Sequence, residues 1–171
     1  MYRAIIFILF AIFMASVAHA QSVLTPALSD TLNADEVENR EQVMYMVNTN
    51  EPATGVIVDY YESGQIKSRH SVVNGKAEGV WIEWYESGIP RYLAEWKQGM
   101  GHGQWVYFHE NGEIRERSYV EQDVWQGVSE GWHTNGVKAF EGMHVQNERI
   151  GRWTWWDKQG AITESKTYQN R

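Results

Sequence analysis

The chain has 171 residues, a formal net charge of −7 and no cysteine. The lack of cysteine excludes disulfide bonds, a thiolate metal site and the lipid-bearing cysteine of a bacterial lipoprotein. The acidic balance, without a cluster of lysine and arginine, argues against nucleic acid or anionic membrane lipid as a partner.

The first twenty residues have the pattern of an export signal. Arg3 gives a positive start, residues 4–17 are apolar, and Ala18-His19-Ala20 is typical of a cleavage site. An uncleaved membrane anchor is the alternative, but the apolar run is about 14 residues, whereas a spanning helix needs about 20. We therefore predict a signal peptide over 1–20, cleavage between Ala20 and Gln21, and a periplasmic or extracellular location.

Residues 21–42 are acidic and contain no aromatic residue. This composition predicts a flexible leader with at most a short helix near Ser29. The remaining residues, 43–171, are predicted to form one domain. Its first strand, near Val43 to Val47, is expected to cap one end of a sheet.

Two series of glycines show that this domain is built from repeats of 24 residues. The first series marks the start of each repeat: Gly55, Gly79, Gly103, Gly127 and Gly151. The second series follows nine residues later: Gly64, Gly88, Gly112, Gly136 and Gly160. The segment between them is rich in Val, Ile, Thr and Trp, which favour strands, and Ser-Gly, Asn-Gly or Gln-Gly ends it as a tight turn.

A second strand follows each turn and ends at another tight link, such as Asn74-Gly75. Two strands and two turns fill the 24 residues, so no helix or crossover fits between them. The predicted fold is all-β, an elongated single-layer antiparallel β-meander of about ten strands built from five hairpin repeats.

One aromatic residue occupies the same position in every repeat and is predicted to form the structural core: Tyr60, Trp84, Phe108, Trp132 and Trp156. Alternation along a strand places other aromatic residues on the opposite face, where they form the candidate interaction face: Tyr61, Trp81, Tyr85, Trp105 and Trp153. Two interpretations of this second row remain open. The rings bind a partner, or they stack along the sheet and cover one another.

The segments GVWIEWYESG and GQWVYFHENG resemble the repeat unit of the MORN family, in its bacterial variant form. The segment GMGHG, residues 99–103, is similar to the linking segment of that family, and residues 44–55 resemble its lead-in. The resemblance covers about residues 43–171 and departs at Ser129, Glu130 and Gly131, where a thin or bent repeat is expected. The resemblance implies a stacked β-hairpin fold, and some bacterial relatives are described as antitoxin-like.

The sequence contains few residues whose spacing is typical of a metal or catalytic site. His109 and His133 hold equivalent places in adjacent repeats, but a repeat spans two strands, which separates them by about 9–10 Å, too far for one metal ion. Glu62, Glu86 and Glu110 precede turns, where solvation explains them better than a glycosidase pair. We therefore predict no enzyme, no catalytic or metal site and no cofactor.

Two functions compete. The first is an exported protein-binding module, with an antitoxin-like role implied by the resemblance. The second is binding of carbohydrate or cell envelope, with Trp81, Trp105 and Trp153 as a platform for sugar rings. Membrane lipid ranks third because of the acidic charge, and the oligomeric state stays open because either end of the sheet is a potential pairing edge.

Overall fold

The computed structural model of the protein describes residues 30–169. The predicted signal peptide, its cleavage site at Ala20 and Gln21, and residues 21–29 of the predicted leader lie outside these residues. Within residues 30–169, no helix has the length and apolar character needed to cross a membrane.

In the part of the chain that the structure describes, five consecutive β-hairpins form the body of the fold. Their strands are β4 (Gly55–Tyr60) and β5 (Ile66–Val73), β7 (Gly79–Trp84) and β8 (Pro90–Lys97), β9 (Met100–Phe108) and β10 (Ile114–Glu121), β11 (Val124–Trp132) and β12 (Lys138–Val145), and β13 (Glu148–Trp156) and β14 (Ile162–Tyr168). Each strand pairs in antiparallel fashion with the next along the chain. The predicted meander of hairpin repeats is therefore confirmed.

Within residues 30–169 the sheet has 12 strands rather than about ten, because two short strands join the hairpins. One is β1 (Thr31–Asn33), which pairs in parallel with β4 and makes the sheet mixed. The other is β6 (Lys76–Ala77), which pairs with β5 in the link between the first two repeats. Neither carries the glycine period of the repeats, and three residues or fewer give too little alternation to reveal a strand.

Short strands occur in the segment before the first repeat, including residues 31–42 of the predicted leader. This segment contains β1, a 3-10 turn (Ala34–Glu36), β2 (Val37–Arg40) and β3 (Val43–Met46). The prediction that the strand near Val43 to Val47 caps the large sheet is wrong, because β3 pairs with β2 in a separate two-stranded sheet and β1 forms the sheet edge. Backbone hydrogen bonds from Met44 to Gly75 and from Ala53 to Met44 fix this small hairpin against the first repeat.

The residues of the turns have the backbone φ angles that their residue types favour. All five glycines of the second series have positive φ, between 78° and 84°. In the links between repeats both central residues have positive φ, as in Asn74 (49°) and Gly75 (76°), which is the signature of a type I′ turn. These turns match the right-handed twist of the strands and fix the register of each hairpin.

Among the described residues, buried apolar side chains form two clusters. One consists of Ile82, Leu93, Val106 and Phe108, in the second and third repeats, with Val80, Trp84 and Ile114 packed against it. The other joins the first repeat to the N-terminal segment and consists of Ala53, Ile57 and Val72, packed against Leu32, Ala34, Val37, Met44, Met46 and Trp81. The small hairpin therefore supplies the apolar cover that the first repeat lacks from a preceding repeat.

Candidate interaction surface

The strand register assigns each side chain to one of two sheet faces, because residues paired across strands point the same way. We call the side that carries Val58, Ile82 and Val106 the aliphatic face. Ile82 and Val106 both pair with Leu93, which belongs to the same face. The opposite side carries Trp81, Trp105 and Trp153, and we call it the tryptophan face.

An almost continuous row of rings runs along the tryptophan face. His70 stacks on Trp81 with ring centroids 4.2 Å apart, and Trp81 lies 4.8 Å from Trp96. The row continues from Trp96 to Trp105 (5.6 Å) and from Trp105 to Trp125 (5.6 Å). It then passes through His144 to Trp153, which lies 4.9 Å from His144. The rings of successive repeats thus cover one another.

Glycines beneath two rings of this row, and beneath the ring of Phe140 next to Trp153, allow these rings to lie flat on the sheet. A Cβ atom at Gly142 would lie 2.0 Å from Trp153, and one at Gly131 would lie 2.1 Å from Phe140. A Cβ atom at Gly101 would lie 2.7 Å from Trp105. Gly131 is one of the departures noted in the fourth repeat, and its small size makes room for the ring of Phe140.

This arrangement changes the interpretation of the predicted interaction face. Trp153 is only 1% exposed, and its Nε1 donates a hydrogen bond to the carbonyl of Met143. Trp81 and Trp105 are half-buried, and Trp81 Nε1 donates to the carbonyl of Ser71. Ring stacking along the sheet, one of the two interpretations of this row, is therefore what the structure shows.

Tyr61 and Tyr85 have a different role, as ties between repeats. The hydroxyl of Tyr61 donates to the carbonyl of Trp84 at 2.6 Å, and that of Tyr85 donates to the carbonyl of Phe108 at 2.9 Å. Each acceptor lies 23 residues ahead of its donor. The same position holds His109 and His133, whose Nε2 atoms lie 2.8 Å from the carbonyls of Trp132 and Trp156.

The carbonyls that receive these ties belong to the predicted core aromatics, which lie on the aliphatic face. Their burial depends on the repeat. Phe108 is 1% exposed, whereas Trp84, Trp132 and Trp156 are half-buried. The prediction for Tyr60 is wrong, since its side chain is 48% exposed. Tyr60 lies in the first repeat, and its neighbour β1 pairs only with residues 56–58, so no preceding repeat covers its ring.

Large apolar side chains are exposed mainly on the aliphatic face, which sequence reasoning did not single out. Val128 and Met143 are cross-strand partners and are 49% and 42% exposed. Tyr119, on the neighbouring strand β10, is 40% exposed. We call Tyr119, Val128 and Met143 the exposed patch. Alternation along the strands assigns a residue to a face but does not show its exposure, and irregular pairing beside Tyr119 and Met143 disturbs even that assignment.

A cluster of charges borders the exposed patch on the same face. Glu130 accepts hydrogen bonds from Arg117 (2.6 Å) and Lys138 (2.8 Å), and Lys138 also pairs with Glu141. Arg117 and Lys138 lie over the ring of Trp132, at 5.6 and 5.8 Å from its centroid. Burial alone would raise the pKa of Glu130, but the bonds from Lys138 and Arg117 hold it below the usual value.

Titratable groups on the tryptophan face are perturbed chiefly by burial. Burial lowers the pKa of His70 to about 4 and raises the pKa values of Tyr92, Tyr107 and Glu116. The rings of Tyr92 and Tyr107 lie 4.7 Å apart. Within residues 30–169, no group of three or more His, Asp or Glu side chains is arranged to hold a metal ion.

Comparison with known proteins identifies the repeats. The model of the MORN repeat variant family matches three consecutive segments, residues 53–74, 77–98 and 101–122. No curated protein and no solved structure shows significant similarity to the chain. The fourth and fifth hairpins continue the same register beyond the matched segments. Residues 53–122 are therefore three tandem MORN repeats of the variant type.

Proposed function

We propose that the protein is an exported, non-enzymatic interaction module that binds another protein on its aliphatic face. MORN repeats are consistent with a protein-interaction module. The observation that supports this face is the exposed patch, where Tyr119, Val128 and Met143 present apolar side chains to solvent. The neighbouring cluster of Arg117, Glu130 and Lys138 supplies charges at its border.

The chemistry of the patch favours a protein over a sugar. Methionine, tyrosine and arginine are enriched at protein interfaces, where an apolar centre is surrounded by a polar rim. A sugar ring needs a flat, open aromatic surface, which the aliphatic side chains of Val128 and Met143 do not offer. A partner protein that presents apolar side chains flanked by opposite charges fits this surface better.

The proposal takes this interaction to occur outside the cytoplasm, on the basis of the export signal predicted over residues 1–20. An antitoxin-like role, in which the partner is a protein whose activity is blocked, is the more specific form of the proposal. It is compatible with export if the blocked protein acts in the periplasm or arrives from outside the cell.

Capture of partners from a periplasmic extract tests the proposal. We expect the full-length chain to retain a protein at defined stoichiometry, and we expect Val128→Glu and Met143→Glu to lose it. Gln159→Glu is the matched control, because it adds the same charge at an exposed turn position away from the patch. Equal retention by all four chains would exclude the exposed patch as the binding surface.

Carbohydrate binding is the alternative function, supported by the partial exposure of Trp81 and Trp105 on the tryptophan face. Trp153 is too buried to take part, which shortens the predicted platform. Titration with peptidoglycan fragments and polysaccharides, followed by tryptophan fluorescence, distinguishes the two functions. A saturable spectral change that persists in Val128→Glu would favour sugar binding, whereas the absence of any spectral change would exclude it.

A further inference from the structure

The last strand of the sheet, β14, leaves one side without a partner. It pairs with β13 through residues Ile162 to Tyr168, and no other strand within residues 30–169 pairs with it. Its side chains are exposed up to Thr167, and it contains no proline. An edge strand of this kind presents unpaired backbone donors and acceptors, and is a template for another strand.

The charges on β14 are arranged so that the strand complements itself. Glu164 and Lys166 pair with Trp155 and Trp153, so both side chains point to the tryptophan face. Neither forms an ion pair with another residue of the described chain. Between them, Ser165 points to the opposite face, where Arg152 donates a hydrogen bond to its hydroxyl.

A two-fold axis that is perpendicular to the sheet, level with Ser165 and midway between the strands brings two copies of β14 together in antiparallel fashion. Glu164 of each copy then lies opposite Lys166 of the other, and the two Ser165 residues oppose each other. Both copies keep the tryptophan face on the same side of the joined sheet, and paired residues must point to the same face. The axis can therefore be level with a residue but not with the midpoint between two residues. A shift to residue 164 or 166 places glutamate opposite glutamate, or lysine opposite lysine, and cross-strand like charges are destabilising.

We propose that the protein forms a homodimer through β14, in the register centred on Ser165, which joins two sheets edge to edge. The tryptophan faces of both copies then lie on one side, and both exposed patches lie on the other. This inference does not depend on the proposed partner. It implies that such a partner would meet two equivalent patches on a single dimer.

Charge exchange tests the dimer directly. Analytical ultracentrifugation of the chain expressed from its full-length coding sequence is expected to show a dimer. Lys166→Glu places glutamates opposite each other and Glu164→Lys does the same with lysines, so each variant alone is expected to be monomeric. The double variant with both changes is expected to dimerise again. The matched controls are Lys158→Glu and Glu148→Lys, which make the same charge changes at exposed positions off this edge.

Mixing the two single variants gives the most specific result. The Lys166→Glu chain has glutamate at both 164 and 166, and the Glu164→Lys chain has lysine at both positions. An equimolar mixture is therefore expected to form a heterodimer. Thermal unfolding of each variant verifies that the fold is retained. A wild-type chain that stays monomeric, or single variants that dimerise as well as the wild type, would overturn the proposal.

Discussion

The Nε2 atom of His133 lies 2.8 Å from the carbonyl oxygen of Trp156, 23 residues further along the chain. Since a carbonyl only accepts, Nε2 is the protonated nitrogen and donates this bond. The same tie recurs with Tyr61, Tyr85 and His109 as donors. Each tie satisfies a carbonyl at the end of a strand, so the donors connect successive repeats in addition to the sheet hydrogen bonds.

Removal of one tie is expected to lower stability by a measurable amount. Tyr61→Phe deletes the hydroxyl that donates to the carbonyl of Trp84. A hydrogen bond of this kind contributes about 0.5–1.5 kcal/mol, so we expect the free energy of unfolding to fall by about 1 kcal/mol. Urea unfolding followed by tryptophan fluorescence measures the change.

The adjacent tyrosine provides the control. Tyr60 is 48% exposed and its hydroxyl forms no hydrogen bond with the described residues. Tyr60→Phe is therefore expected to change the free energy of unfolding by less than about 0.5 kcal/mol. Equal effects of the two substitutions would show that the tie does not contribute to stability.

The glycine beneath Trp153 is expected to tolerate no side chain. At Gly142 a Cβ atom would lie 2.0 Å from the indole ring, which is 1% exposed and has no room to move. Overpacking of this kind costs about 1–3 kcal/mol, and we expect Gly142→Ala to destabilise the fold within or above that range.

A double-mutant cycle with Trp153→Ala tests the cause. This substitution removes the indole carbons that the new methyl group would meet, so the double variant is expected to cost less than the sum of the single variants by at least about 0.5 kcal/mol. Thermal or urea unfolding of the four chains gives the coupling. Additive effects would indicate that Gly142 is needed for its backbone rather than for the ring above it.

Stability is expected to fall in mild acid because of His70. Burial lowers its pKa from 6.5 to about 4 in the folded protein, with a smaller opposing effect of Asp59. Between these values the unfolded chain binds a proton and the folded chain does not, so stability is fully present above pH 6.5 and falls towards pH 4. The expected slope from this residue is at most about 1.4 kcal/mol per pH unit.

His70→Phe isolates this contribution, because it keeps an aromatic ring against Trp81 and removes the titrating group. The loss of unfolding free energy between pH 7 and pH 5 is expected to be smaller in the variant than in the wild type. Urea unfolding at the two pH values measures both chains. The same loss in both would mean that other groups cause the pH dependence.

The ion cluster at Glu130 is expected to contribute modestly and in a salt-dependent way. Glu130→Gln removes the charge that binds Arg117 and Lys138, whose side chains are 43% and 32% exposed. Since pairs of this exposure are worth about 0–1 kcal/mol each, we expect a loss of about 1 kcal/mol at low salt and less at high salt. Glu148→Gln, at an exposed position, is expected to leave stability unchanged at both salt concentrations.

Most of the fold can be predicted from the repeat period of the sequence. Positive φ at the turns favours glycine or asparagine, so Gly88 and Asn74-Gly75 mark hairpin ends by their residue types alone. The strands β1, β2 and β3 lie outside the period and are short. Their partners are fixed by packing around Ile57 and Val72, which no local pattern reveals.

The candidate site is less predictable, because exposure depends on neighbours rather than on position in the repeat. Tyr60 and Phe108 occupy the same place in their repeats, yet Phe108 lies in the middle of the array, in a cluster with Ile82 and Val106. Tyr60 lies at the end of the array and stays exposed. The exposed patch escapes sequence reasoning for a related cause, since the repeat period contains no information about which side chains lack cover.

The ties that span 23 residues also set a rule for how a chain of this kind can change length. Loss of residues 79–102 would join Glu78 to Gly103 and leave Tyr61 facing the carbonyl of Phe108 in place of that of Trp84. After gain or loss of a whole unit, each tie can therefore form again with the equivalent carbonyl. Loss of a single residue would instead turn the following side chains to the wrong face. Duplication and deletion of complete units are thus the natural route by which such arrays lengthen or shorten.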